Sequence, residues 1–205
     1  SRLESGLRRV AFFVIPSAVA FVAIGWVLAA ALYEGGRFTR DDASWVWAAL
    51  GGSAIGLLAS TSGRLYASAL FALHDTRTPF RYAVARVVTG AVLGAGLALT
   101  LPRALDIDAQ WGIGVLTAAS SIGALLEWWL LRRAVERRIG AVRVARSESL
   151  TLWGTALLAA AASLVSVRVA GGMPPLLLGV VVCGVFGLSY FGIARLSGAD
   201  RARRA

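Results

Sequence analysis

Bond-making chemistry needs nucleophiles, acids and bases within reach of one another, and this sequence has few to offer. It holds one histidine, His74, and one cysteine, Cys183, far apart in the chain. A histidine–cysteine catalytic arrangement, a cysteine metal cluster and an intramolecular disulfide all lack parts. No phosphate-cradling glycine loop, H-E-x-x-H pair or nucleophile elbow occurs. The residues thus predict no enzyme, no metal site and no cofactor. What remains are charges in apolar surroundings.

Arg64 is the sharpest of them. It sits in "STSGRLYAS", eleven residues before Asp75, so a helix ending near His74 carries it about 15 Å into the bilayer. An arginine at that depth costs several kcal/mol by insertion scales and is usually retained for function. Ser60, Thr61, Ser62 and Gly63 beside it suggest a hydrated or protein-facing surface. The alternative is a side chain that snorkels to the interface. Glu127 is the only carboxylate inside an apolar run. Pairing with nearby Arg132 and Arg133 explains it, and a transport role is the second reading.

Two polar breaks need explanation. In "YEGGRFTRDD", Gly35-Gly36 can end one helix and Thr39 or Asp41 can cap the next. The carboxylates there match no EF-hand spacing. In "HDTRTP", Pro79 can begin a helix with Thr78 as its N-cap, Asp75 can bond turn amides, and His74 can cap the preceding helix.

The elements that must position these residues follow from composition. The 205 residues are 58% hydrophobic with mean hydropathy +0.71, a balance that predicts a polytopic membrane protein. Six runs reach the roughly 20 apolar residues of a span: Val10–Tyr33, Trp45–Ala72, Tyr82–Leu101, Trp111–Leu131, Leu150–Val167 and Pro174–Leu196. The expected fold is an all-α bundle of six transmembrane helices forming a single transmembrane domain over residues 1–205. An Ala18-Val19-Ala20 match to a cleavage pattern lies in too long an apolar run to mark a removed signal. The first residue is Ser1, as expected after removal of a segment or within a longer protein.

All 21 basic residues are arginine and the net charge is +10. They flank apolar runs, which fits anionic lipid headgroups and argues against nucleic acid. Sixteen fall at the two termini and the second and fourth loop regions, against four on the other side. The positive-inside rule then places both termini and "HDTRTP" in the cytoplasm. Trp45, Trp47, Trp111, Trp128, Trp129 and Trp153 fall at span ends, as interfacial belts do. Gly52/Gly56 and Gly90/Gly94 are G-x-x-x-G pairs, expected to serve ordinary close helix packing. In residues 132–149, Val135, Ile139 and Val142 share a helical face opposite several arginines. That spacing predicts an amphipathic cytoplasmic surface helix, with Arg132, Arg133, Arg137 and Arg138 on lipid headgroups.

Four segments in order resemble the C-terminal lobe of the MurJ/MviN family, lipid II flippases of the multidrug/oligosaccharidyl-lipid/polysaccharide exporter superfamily. "LRRVAFFVIPSAVAFVAIG" resembles the family's ninth span. "LYEGGRFTRDD" places Gly36, Phe38, Thr39 and Asp42 on a family pattern. "RLYASALFALHDTRTPFR" does the same for Arg64, Phe71, Asp75, Thr78 and Pro79. "WGIGVLTAASSIGALLEWWLLRR" resembles the twelfth span with its basic exit. The resemblance covers about residues 7–140 and implies the last six of fourteen helices, in a bacterial inner membrane.

It further implies a job: moving lipid-linked peptidoglycan precursor across the cytoplasmic membrane by alternating access between two lobes. The partner would be an N-terminal lobe on the same or a companion chain, where most of the pyrophosphate-gripping cavity is expected. This chain alone is then expected to be inactive, with its last two helices forming a groove for the polyprenyl tail. Gly94 and Ala98 stand near positions where some members bind sodium, so no sodium site is expected. Ser68 stands where proline is frequent in the family. The alternatives are a non-transporting scaffold of a cell-wall complex, or an exporter of another polyprenyl-linked glycan.

Overall fold

The computed structural model describes residues 2–34, 40–104, 106, 111–142 and 146–196. Among these residues there are six helices: α1 (Arg2–Tyr33), α2 (Arg40–Ala72), α3 (Arg77–Ala104), α4 (Gly112–Ile139), α5 (Arg146–Ala170) and α6 (Pro175–Leu196). Each is long and apolar enough to cross a membrane.

The helices overrun the expected spans, chiefly at the arginine-rich end. α1 starts at Arg2 instead of Val10, and α4 runs on to Ile139 instead of stopping at Leu131. At 32 and 33 residues, α1 and α2 are about 48–50 Å long, well beyond the roughly 30 Å hydrocarbon layer. The overhang stays helical because it has its own core. Leu7 of α1, Tyr66 and Leu70 of α2, and Leu131 and Val135 of α4 bury one another there, together with Val142. This corrects the expected surface helix over 132–149. Residues 132–139 are the last turns of α4, and Val135 and Val142 face protein, at 0% and 6% exposure. Only Ile139 of that stripe is exposed. A burial partner across the bundle outcompeted the lipid surface for the same apolar face.

α2 and α4 meet along a seam of small residues. The Ser121 hydroxyl donates to the Gly52 carbonyl at 2.8 Å. A Cβ on Gly52 would lie 2.6 Å from the Gly114 carbonyl oxygen, and one on Gly56 would lie 2.8 Å from the Ser121 Cα. α3 lies on the other side of α4, where Gly123 sits against the Arg86 carbonyl and Gly94 against Leu116. Both glycine pairs thus serve close packing, as expected.

α1 is the spine. α2 packs on it, and the Trp47 indole donates to the Val22 carbonyl at 3.0 Å. α5 and α6 pack on each other and on α1. Phe12, Ile15 and Val19 of α1 interlock with Leu152, Ala156, Ala159 and Ala160 of α5 and with Tyr190 and Ala194 of α6. Pro16 lies inside α1. Its missing N–H leaves the Phe12 carbonyl without its helical partner. The Tyr190 hydroxyl donates to that carbonyl at 2.6 Å, in a buried position.

The turn at "HDTRTP" differs from expectation in its capping. His74 holds φ 60°. Its amide bonds the Phe71 carbonyl at 2.9 Å, while the Asp75 amide bonds Leu70 at 3.0 Å. That pair of bonds is a Schellman ending, so His74 closes α2 with its backbone. The next cap is Asp75, not Thr78: Asp75 Oδ1 accepts the Thr78 amide at 3.0 Å. Pro79 does not open α3 but sits in its first turn, where its absent N–H leaves nothing unsatisfied. Ser68 leaves α2 helical throughout, its hydroxyl bonding the Arg64 carbonyl at 2.9 Å.

Candidate functional site

An apolar groove runs along one side of the bundle. α1 forms its floor with Ile15, Val19 and Val22, α5 one wall, and α2 and α4 the other. Its volume is about 680 Å³. Along α5 it extends from Trp153 to Leu164, about 16 Å. It exists because α5 seats on α1 without closing onto α2 and α4. Trp128 and Trp153, expected as belt residues, line it. α6 lines a smaller recess of about 270 Å³ on the opposite face of α1, beside Pro16 and Tyr190.

Arg64 lies on the face of α2 turned away from α1 and α4. It is exposed, and among the described residues it makes no ion pair. Ser53 and Ser68 share its helical face and are exposed with it. Ser53, Ser60 and Ser68 satisfy their hydroxyls on their own helix, bonding the carbonyls of Ala49, Leu57 and Arg64. The result is a polar stripe, uncovered by the other five helices, on an otherwise apolar exterior. Phe71, 51% exposed, ends it.

Glu127 does not pair with Arg132 or Arg133. It accepts from Arg86 of α3 at 3.1 Å, its side chain 15% exposed, so the pair ties α3 to α4. The preference for Arg86 follows from Gly123, which brings the two helices together one turn earlier. Neither partner carries a signal in the sequence that would have joined them.

The four arginines at the α4 exit divide. Arg132 bonds Glu136 at 2.8 Å and lies over Trp128. Arg138 bonds Asp75 at 2.5 Å, joining the α2–α3 turn to the end of α4. Arg133 stacks on Trp129 at 3.7 Å, and both it and Arg137 are exposed. These last two have no acidic partner among the described residues and suit anionic headgroups. A further pair, Arg8–Glu148 at 3.3 Å, ties α1 to the start of α5. Of the remaining motif positions, Gly36, Phe38 and Thr39 lie outside the described residues, and Asp42 is half-buried near the start of α2.

Asp75 lies in the turn beyond the spans. Bonds from Thr78, and then the Arg138 guanidinium, hold its carboxyl down at about 2, from an ordinary 3.8. A depressed carboxylate stabilises the fold above its unfolded pKa, and that stability is lost as pH falls through the folded value. Asp75→Asn should therefore melt lower than the parent at pH 6, with the gap closing as pH drops from about 4 toward 2. Melting curves in detergent across that range check it; a gap independent of pH would remove the ion pair from the account.

Known proteins resemble this architecture. A family model described as lipid II flippase MurJ matches residues 1–182. A probable lipid II flippase MurJ of Vibrio cholerae serotype O1 is 27% identical over 166 residues, spanning 80% of this chain and 29% of that protein. The solved structure of a lipid II flippase MurJ in an inward closed conformation superposes with a TM-score of 0.77. It is 19% identical, and the match covers 97% of this chain and 39% of that one. The chain thus spans under a third of its curated relative, and the structural match attests the six-helix fold. With the family model covering most of its length, this multi-pass membrane chain belongs to the MurJ lipid II flippase family.

Proposed function

We propose that this chain is the tail-handling part of a lipid II flippase of the bacterial inner membrane. The groove carries the reading. It is apolar, open to the hydrocarbon layer, and long enough to hold a stretch of polyprenyl chain against α1. The uncovered Arg64 stripe supports it. A polar face inside the bilayer is stable where it meets water or protein, so this face turns to a hydrated cavity shared with a companion lobe. The substrate's tail would lie in the groove, while Arg64, on the other face of α2, would meet the companion lobe.

Translocation in this reading is alternating access between two lobes, with no bond made or broken. Both termini and the arginine-rich overhang lie in the cytoplasm, where Arg133 and Arg137 meet anionic lipid. The six helices supply one lobe, and the activity belongs to the whole flippase.

A groove-filling substitution tests this. Ala161 lines the groove from an exposed position on α5, so a larger side chain there enters open space. Ala161→Phe in the full-length protein should lower lipid II translocation in vesicles about tenfold with an unchanged melting temperature. Undiminished translocation would reject the groove as the tail site. Competition by other polyprenyl-linked glycans in the same vesicles reads the substrate.

A further inference from the structure

The α5–α6 pair reaches the rest of the bundle through α1, and α1 carries a proline where they meet. Pro16 lies between the groove's floor residues Ile15 and Val19, so the course of α1 at that point shapes the groove. α6 spans this position. Toward one end of α1 it packs Val182 against Ile24 and Val27, and Gly179 lies against Ala31. Toward the other it presents Tyr190 to Phe12. The hydroxyl of Tyr190 takes the one carbonyl that Pro16 leaves without a helical partner. In a bilayer that carbonyl has no water to turn to, so the bond is strongly favoured over its absence. The ring is held independently, by Phe12 and Phe191 at centroid distances of 5.6 and 5.5 Å.

We propose that Tyr190 is a positioning residue for the groove: by bonding the Phe12 carbonyl it fixes the course of α1 at Pro16 and the seat of α5–α6, and so sets the groove's width. The effect on lipid binding rests on the tail-groove reading above; the effect on width does not.

Tyr190→Phe keeps the ring and removes the donor. Pro16→Ala restores the amide that would bond Phe12 within α1. The two substitutions should therefore be coupled. In the full-length protein with Cys183→Ser, spin labels at Ser53→Cys and Leu158→Cys report the α2–α5 separation in nanodiscs, since neither position lines the groove. Tyr190→Phe is expected to broaden that distance distribution and to weaken binding of undecaprenyl phosphate about tenfold. In a Pro16→Ala background, Tyr190→Phe should change neither quantity further.

An unchanged distribution in folded Tyr190→Phe overturns the proposal, as does an equal effect with alanine at position 16. A parent protein that binds no undecaprenyl phosphate, yet whose distribution responds as described, rejects the tail reading while upholding Tyr190's positioning role.

Discussion

Gly52→Val is expected to separate α2 from α4. The new Cβ would fall 2.6 Å from the Gly114 carbonyl and closer still to the Thr117 hydroxyl. Backbone cannot yield as a flexible side chain can, so the helices must part, and the Ser121–Gly52 bond goes with them. Overpacking of this kind costs about 1–3 kcal/mol, and orphaning a buried hydroxyl adds about 1–3 more. Gly51→Val is the control, because a Cβ there meets nothing within 4 Å. Thermal unfolding in detergent should place Gly52→Val far below both the parent and Gly51→Val. Coincident curves for the two variants would mean that the seam is not where the helices hold together.

Arg64→Ala is expected to separate stability from transport. Arg64 is exposed and has no ion pair among the described residues, and its neighbours Leu65 and Tyr66 pack in the core of the overhang, so no contact of the fold depends on its guanidinium. Removing it should leave the melting temperature unchanged. Transport by the full-length protein should fall by tenfold or more, with Arg64→Lys retaining part because the charge survives without the forked donors. A purely snorkelling side chain predicts wild-type transport in Arg64→Ala. A lowered melting temperature would instead reveal a structural partner for the guanidinium.

The helices were legible because bilayer thickness constrains spans more tightly than any soluble fold constrains its elements. All six expected spans lie within observed helices, apart from Trp111 and Pro174, each one residue short of its helix. The overhangs were not legible. Arg8, Arg133 and Arg137 read as interfacial, and the core of Leu7, Tyr66, Leu70, Leu131 and Val135 that keeps those turns helical joins residues of three helices. The α4 exit shows the same limit: an apolar stripe beside arginines looks alike whether it meets lipid or protein. Asp75 was readable as a turn residue, whereas its partner Arg138 was not, since that pairing depends on how α2 and α4 are aligned. The groove along α1 was not legible for a related reason. Hydropathy ranks how apolar α5 and α6 are but says nothing of α5 standing clear of α2 and α4.

The proline in α1 also has a consequence for how the chain is made. α1 emerges before α6, and its Phe12 carbonyl is matched by Tyr190, which is translated roughly 180 residues later. At about 5–20 residues per second the interval is roughly 10–35 s. Throughout it, a half-made protein carries an unsatisfied polar group within α1. Membrane quality control would find its target there, and α6, on entering the bilayer, completes α1.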